Sequence, residues 1–226
     1  MDRSKGSTVE ECPVSIEAPS AVLDGSLCLP QGVKGVVLFA HGSGSSRLSP
    51  RNLYVAQILQ GQGIGTLLFD LLTPEEGALD ERTGKLRFNI KFLTQRLIEA
   101  TDWLRKYLEA ENLKLGYFGA STGAAVALIA AAERPEAIQA VVSRGGRPDL
   151  AEEYLPGVKA PTLLIVGGKD LPVIEMNRAA LQMIQTEKTL VIVPGATHLF
   201  EEPGALKEVA RLATGWFLKY FTGQRV

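Results

Sequence analysis

Histidine and cysteine are both scarce in this chain. Only His41 and His198 occur among 226 residues, so chemistry that needs an imidazole base has two candidates. Cys12 and Cys28 are too few for a disulfide framework or a structural zinc site. They lie in neighbouring strand-like segments, and reduced thiols in a cytoplasmic compartment are expected, with a disulfide between them as the alternative.

Strong charge and long apolar runs are also lacking. The net charge is -1 and no run of five basic residues occurs, which argues against a nucleic-acid surface. The apolar runs are too short to span a bilayer, and MDRSKGSTVEE has no signal-peptide pattern, so a cytoplasmic location is expected. We therefore expect a monomer or homodimer that acts on a small molecule, with no nucleic acid, membrane, metal or cofactor.

Nothing in the sequence marks a domain boundary. The chain has no internal repeat, low-complexity tract or linker, and its 46% hydrophobic content is enough for one sizeable core. We predict a single domain over residues 1–226. Two strand-like segments at residues 9–18 and 22–29 predict antiparallel edge strands within the first 30 residues or so.

The rest of the chain alternates strand-like and helix-like segments. Apolar runs lie at residues 36–40, 66–69, 113–118, 138–142, 162–166 and 190–193, and helical segments at 52–60, 88–109, 124–134, 174–185 and 204–221. This rhythm predicts an α/β fold with a mostly parallel sheet, five strands buried on both faces, and helices on either side. Residues 71–87 are expected to form a charged loop, and 149–154 a one-turn helix. Neither is long enough for a cap domain.

A serine flanked by glycines stands where a strand changes abruptly into a helix, in GYFGASTGAA. A turn this tight needs glycine on both sides, here Gly119 and Gly123, and exposes the middle side chain above the sheet. Ser121 is therefore predicted to be a nucleophile.

A serine nucleophile needs a base and an acid that orients it. His198 follows the last strand-like run, and it alone of the two histidines lies after Ser121 with an acid in between, as the chain order serine, acid, histidine of this architecture requires. Asp170 follows the preceding strand-like run and is the predicted acid. Asp149 is the alternative, and Glu175 lies further on in a predicted helix.

Five motifs in order, FAHGSGSS, LLFDLLT, GYFGASTGAA, LLIVGGKD and GATHLFEEPG, resemble the α/β-hydrolase superfamily, in particular its dienelactone hydrolase-like branch without a cap. The resemblance implies that Ser121, Asp170 and His198 are nucleophile, acid and base. It also implies an oxyanion hole made by the backbone N–H groups of Ser43 and Thr122, which the glycine-rich sequence HGSGSS supports.

Arginines near the predicted site suggest a substrate with an anionic group. They are Arg47, Arg51, Arg82, Arg87 and Arg144, of which Arg47 and Arg144 are the candidate substrate-binding residues. Arginine binds carboxylate through two parallel hydrogen bonds. The alternative is that Asp70 and Asp80 pair with nearby arginines and rigidify the chain.

The predicted function is a serine hydrolase that cleaves small carboxylic esters through an acyl-enzyme. Dienelactone hydrolases proper carry a cysteine nucleophile, whereas this chain has Ser121 followed by Thr122, which favours an ester over a lactone. A lactone or thioester hydrolase on the same triad is the alternative enzyme. A non-catalytic binding protein with this fold is the alternative outside the enzymes.

Overall fold

A single eight-stranded sheet organises the part of the chain that the computed structural model describes, residues 11–108 and 113–223. The strands are β1 (Glu11–Ala18), β2 (Ala21–Cys28), β3 (Val36–Ala40), β4 (Gly65–Phe69), β5 (Leu115–Ala120), β6 (Ile138–Arg144), β7 (Thr162–Gly167) and β8 (Lys188–Val193). Their spatial order is β1-β2-β4-β3-β5-β6-β7-β8. Neighbouring strands from β4 to β8 pair in parallel, whereas β2 pairs antiparallel with both β1 and β4.

Helices cover both faces of this sheet. They are α1 (Pro50–Gln60), α2 (Pro74–Thr83), α3 (Ile90–Tyr107), α4 (Thr122–Glu133), α5 (Leu171–Met183) and α6 (Ala205–Thr222), with a 3₁₀ segment, η1, at Pro148–Gly157. Among the described residues, one apolar cluster joins the sheet to α3 and α4, a second joins it to α1 and α6, and a small third one joins β7 to α5. Each parallel strand thus returns through a helix, which brings the carboxyl ends of the strands to one edge.

The predicted α/β-hydrolase fold is confirmed, including the antiparallel edge pair. Strands β3 to β7 are buried almost throughout, whereas β8 at the sheet edge is mostly half-buried. The starts and ends of the helices differ from the predictions by at most three residues. Two predicted ends, residue 9 of the first strand and residue 109 of the third helix, lie outside the described residues.

The prediction of a loop over residues 71–87 is wrong, because α2 occupies most of it. Thr73 caps the helix by accepting a hydrogen bond from the N–H of Glu76, whose carboxylate accepts one from the N–H of Thr73. Pro74 occupies the first turn, and Gly84 ends the helix with a left-handed φ of 64°. The helix presents no apolar stripe, so its periodicity is weak, but its capping signals are present in the sequence.

The one-turn helix predicted at 149–154 is also longer, since η1 spans ten residues.

The two cysteines are not joined in the described structure. Cys12 is exposed and Cys28 is buried, and they occupy offset positions in the β1–β2 register, where Cys12 faces Leu27.

Candidate active site

Ser121 occupies the turn between β5 and α4 in a strained backbone conformation. Its φ is 51° and its ψ is -121°, a region that costs on the order of 1–3 kcal/mol for a residue with a side chain. Its N–H donates to the carbonyl oxygen of Arg144 at 3.1 Å, and its own carbonyl accepts from the N–H of Arg147 at 3.1 Å. The strand β6 and the residues after it therefore hold this turn in place.

The two glycines that flank the serine are required by close contacts. A Cβ on Gly119 would lie 2.5 Å from the Cα of Ala124, and one on Gly123 would lie 2.2 Å from the carbonyl oxygen of Ala40. Real Cβ atoms do not approach other atoms so closely, so any side chain would force β3, β5 and α4 apart. The glycine pattern thus follows from how tightly α4 packs against the sheet.

A chain of hydrogen bonds joins Ser121, His198 and Asp170. The Nε2 of His198 lies 3.2 Å from the Oγ of Ser121, and its Nδ1 lies 2.6 Å from Oδ2 of Asp170. The carboxylate is mostly buried and the imidazole about one-third exposed. This geometry allows His198 to accept the serine proton while Asp170 orients the ring and stabilises its charged form.

The loop that carries His198 is fixed by its neighbours. The N–H of Thr197 donates to Oε1 of Glu202 at 3.0 Å, and the pKa of Glu202 is lowered by its hydrogen bonds with Thr197. Phe200 adopts a left-handed φ of 57° and is buried in the apolar cluster beneath α1 and α6. Because Phe200 and Glu202 anchor this loop, the imidazole is held above the sheet edge.

A glycine at the end of β7 brings this loop next to the acid. A Cβ on Gly167 would lie 2.5 Å from the carbonyl oxygens of both Ala196 and Thr197. The N–H of Lys169 donates to the carbonyl of Ala196 at 2.9 Å. These contacts align the turn that precedes Asp170 with the loop that precedes His198.

The alternative acids and the second histidine have other partners. Asp149 binds Arg147 through two hydrogen bonds of 2.9 and 2.7 Å, and Glu175 pairs with Arg178 at 2.7 Å. The Nε2 of His41 accepts from the N–H of Leu71 at 3.1 Å, and burial lowers the pKa of His41. His41 therefore links the end of β3 to the chain after β4 as a neutral imidazole.

Ser43 and Thr122, which were predicted to form the oxyanion hole, are in contact, but through a side-chain hydrogen bond that the sequence did not predict. The N–H of Ser43 donates to the side-chain Oγ1 of Thr122 at 2.8 Å. The turn after β3 also passes close to the nucleophile, because a Cβ on Gly42 would lie 3.2 Å from the Cβ of Ser121. The hydroxyl of Thr122 thus fixes one predicted donor directly beside the other.

The arginines divide into paired and unpaired groups. Arg47 forms an ion pair with Asp70, and Arg87 binds Asp80 with its Nε 2.6 Å from Oδ2. For these two, the structure shows the rigidifying pairs that the sequence offered as the alternative to substrate binding. Arg144 is different, because its buried Nε and Nη1 have no hydrogen-bond partner among the described residues.

Two adjoining cavities open at this edge of the sheet. The smaller, of about 270 Å³, is lined by Ser121, His198, Leu199, Arg51, Asn52 and Arg144, among others. The larger, of about 520 Å³, extends under α2 and is lined by Leu71, Gly77, Asp80, Arg87 and Leu93, among others. Both include Gly42, Ser43, Ser45 and Ser49, so the turn after β3 separates them.

Sequence reasoning missed the glycine pair that follows β6. Gly145 has a left-handed φ of 52°, and a Cβ there would lie 3.1 Å from the carbonyl oxygen of His198. A Cβ on Gly146 would lie 2.0 Å from the Oγ of Ser143 and 2.6 Å from the Cβ of Ala124. The sequence SRGGR at the end of a buried strand was the signal that could have identified this close approach.

Comparison with known proteins places this fold and site in a family. The sequence model of the dienelactone hydrolase family matches residues 23–220, so the chain belongs to that family. The crystal structure of a dienelactone hydrolase from Anabaena variabilis is 62% identical, with a TM-score of 0.92 over 94% of this chain and 98% of that one. Family and fold together support a hydrolase.

More distant and longer relatives add two facts. Est1E from Butyrivibrio proteoclasticus shares the fold, with a TM-score of 0.76 at 15% identity over 93% of this chain and 99% of that one. A Mycobacterium tuberculosis protein named "putative phosphoribosyl transferase" is 51% identical over 223 residues, which are 99% of this chain and 49% of that protein. The chain therefore spans about half the length of that relative.

The described residues contain neither a metal-binding cluster nor a membrane-spanning helix. No group of three or more histidine, cysteine, aspartate or glutamate side chains in that part of the chain could hold a metal ion. None of the helices described above is long and apolar enough to cross a membrane.

Proposed function

We propose that this protein is a serine hydrolase that cleaves small carboxylic esters through an acyl-enzyme. The observation that carries the proposal is the hydrogen-bonded chain from Ser121 through His198 to Asp170, with the serine on a strained turn at the sheet edge. Strain of this kind persists only where the surrounding structure enforces it, and it exposes the hydroxyl to a substrate.

The reaction proceeds in two steps, formation of an acyl-enzyme and its hydrolysis. The Oγ of Ser121 attacks the ester carbonyl carbon while its proton passes to Nε2 of His198, and the tetrahedral intermediate then expels the alcohol, which takes that proton. Water next attacks the acyl-enzyme, giving its proton to His198, and the acid product leaves as the serine regains a proton. Asp170 stabilises the imidazolium in both steps without itself being protonated.

The negative oxygen of each tetrahedral intermediate needs donors that are already in place. We assign this role to the backbone N–H of Thr122, at the N-terminus of α4, and to the N–H of Ser43. In the structure the Ser43 N–H donates to the Thr122 hydroxyl at 2.8 Å, so we infer that it shares its hydrogen between that hydroxyl and the oxyanion when the intermediate forms. Donors on a backbone that is already in place stabilise the transition state because the chain itself need not reorganise as charge develops.

The name of the longer mycobacterial relative does not determine the chemistry proposed for this chain. That name describes a protein about twice as long, of which this chain matches 49%. We propose that the region matched by this chain supplies a hydrolase, whatever the remainder of that protein does.

Labelling and turnover test the proposal together. We expect wild-type protein to react with a fluorophosphonate probe and to hydrolyse p-nitrophenyl acetate, and Ser121→Ala to lose both while its unfolding free energy changes by less than about 1 kcal/mol. Ser15→Ala, which removes the hydroxyl of an exposed serine on β1, is the matched control and should keep both. Labelling of Ser121→Ala, or activity above a few percent of wild type, would assign the nucleophile elsewhere.

A substrate panel separates the alternatives on the same site. Turnover of lactones or thioesters well above that of matched esters would favour the alternative enzyme. A wild-type protein that neither labels nor turns over any of the three would favour a binding protein.

A further inference from the structure

Arg144 is a buried arginine with no acidic partner in the described structure. It ends β6, its backbone carbonyl accepts from the N–H of Ser121, and its side chain lines the cavity that contains Ser121 and His198. The residue is 7% exposed, and its Nε and Nη1 have no hydrogen-bond partner among the described residues. Burial, with a smaller effect of Arg51, lowers its pKa to about 10, so the guanidinium stays charged at neutral pH.

An unpaired buried charge of this kind is costly. Desolvating a charged group without a partner destabilises the fold, and other arginines at this edge of the sheet avoid that cost. Arg47, Arg87 and Arg147 each bind an aspartate, namely Asp70, Asp80 and Asp149. Arg144 is thus positioned for an anion that the protein itself does not supply.

The surroundings of Arg144 add positive charge and hydrogen-bond donors. Arg51, in the first turn of α1, lines the same cavity, as do Ser45 and Ser49, and Ser49 caps the helix. The N-terminus of α1 contributes the positive end of its dipole. Glu201 offsets part of this charge, since it accepts from Nη1 of Arg51 at 3.2 Å, but its side chain is 65% exposed and solvent screens the pair.

We infer that the substrate ester carries a phosphate group, which Arg144 and Arg51 bind in this cavity beside the scissile bond. The inference rests on the proposed ester hydrolysis at Ser121. A phosphate monoester is chosen over a carboxylate because its two negative charges match two guanidinium groups, whereas a carboxylate matches only one. The cavity, of about 270 Å³, also holds the reacting atoms, so the phosphorylated substrate is small.

Phosphate binding can be measured without turnover. We expect inorganic phosphate to bind Ser121→Ala, measured by calorimetry at constant ionic strength, and Ser121→Ala/Arg144→Gln to bind it at least tenfold more weakly. Ser121→Ala/Arg211→Gln is the matched control, because Arg211 is an exposed arginine on α6, and its affinity should equal that of Ser121→Ala. This arm remains valid even if the protein hydrolyses no ester, so it fails independently of the proposed function.

Catalysis provides the second arm, with phenyl acetate, 4-acetoxybenzoate and 4-acetoxyphenyl phosphate as neutral, carboxylate and phosphate esters. We expect the highest kcat/KM for the phosphate ester, and the ratio of its kcat/KM to that of phenyl acetate to fall at least tenfold in Arg144→Gln. Should Arg144→Gln fail to fold, Arg51→Gln is expected to lower the same ratio.

Three outcomes would overturn the inference. An equal loss for all three esters in a folded Arg144→Gln would show that Arg144 acts only through the structure. Preference for 4-acetoxybenzoate, abolished by Arg144→Gln, would identify a carboxylate site instead. Phosphate binding that Arg144→Gln leaves unchanged would show an adventitious ion only.

Discussion

At the residue scale, the Thr122 hydroxyl is the contact with the clearest consequence for catalysis. It accepts the N–H of Ser43 at 2.8 Å and is buried with the rest of its residue, which is 6% exposed. Thr122→Val keeps the shape but removes the acceptor, so Ser43 loses its fixed orientation. Because removal of one oxyanion-hole donor costs about 10²–10³ in kcat, we expect misplacement of this donor to lower kcat by about tenfold or more.

The conservative variant separates positioning from packing. Thr122→Ser retains the hydroxyl and should restore most of the wild-type kcat, with KM little changed in either variant. Thr214→Val is the control, because Thr214 is also a buried helical threonine but bonds only within α6, to the carbonyl of Ala210. A Thr122→Val enzyme with wild-type kcat would contradict the assigned role.

A second residue-scale prediction concerns stability. Gly123→Ala would place a Cβ 2.2 Å from the carbonyl oxygen of Ala40, so we expect it to lower the free energy of unfolding by about 2 kcal/mol or more. Gly215→Ala is the contrast, since no atom lies within 4 Å of its added Cβ in α6, and it should raise the free energy of unfolding by about 0.5–1 kcal/mol. Urea denaturation of both variants measures the difference, and equal effects would contradict the close-packing argument.

The candidate site residues could be predicted from the sequence because the required chemistry and chain order left few residues to choose from. Two histidines and a serine between glycines left few choices, and the structure brings Ser121, His198 and Asp170 within hydrogen-bond distance; their catalytic roles stay predictions. The Thr122–Ser43 contact was not predictable, because it depends on where β3 ends relative to α4 in space. The same holds for the unpaired state of Arg144, which the sequence could not distinguish from the paired state of Arg47.

At the scale of elements, the attachment of α2 to the residues that follow it depends on a charged side chain. Asp80 accepts from the N–H of Leu86 at 2.7 Å and from Nε of Arg87 at 2.6 Å, which joins the end of α2 to the residues before α3. Burial of Asp80 opposes its ionisation, but the hydrogen bonds from Arg87 and Leu86 outweigh this and lower its pKa. The ionised carboxylate therefore stabilises the folded state.

The direction of this pKa shift sets the pH dependence. A lowered native pKa stabilises the fold above the unfolded value of about 3.9, and this contribution is lost as pH falls through the native pKa. We expect Asp80→Asn to lower the melting temperature at pH 7, and the gap to wild type to narrow below about pH 4. Glu81→Gln, at an exposed position on the same helix, should melt like wild type, whereas a gap independent of pH would mean that the charge of Asp80 is not the cause.

The elements themselves were predictable to different degrees. Buried parallel strands read as continuous apolar runs, so β3 to β7 were found within a few residues. Helix α2 was missed because it has no apolar stripe, and only the capping signals at Thr73 and Gly84 mark it. Periodicity detects an element that buries one face, whereas α2 is held mainly by hydrogen bonds and charge at its ends.

At the scale of the whole molecule, the connections after the strands determine how large a substrate fits. The connections that follow β6 and β7 are η1 and α5, and neither builds a cap over Ser121. The two cavities, of about 270 and 520 Å³, are separated by the turn after β3 and lined by many polar side chains, among them serines and arginines. Leucines, among them Leu71 and Leu93, line the larger cavity, but the cavity that contains Ser121 has Ala120 and Leu199 as its apolar side chains. Little apolar surface therefore lies beside the nucleophile for a long acyl chain.

This architecture predicts a preference for short acyl chains. Each buried methylene is worth about 0.8 kcal/mol, so a deep apolar pocket would raise kcat/KM steadily as the chain lengthens. Here additional methylenes stay in water, and we expect p-nitrophenyl acetate or butyrate to be cleaved best, with a decline at octanoate and palmitate. Measurements of kcat/KM across the four esters, below the concentrations at which they aggregate, test this. The opposite order, or activation by an oil–water interface, would require an apolar pocket or a moving lid that the cavities described above do not provide.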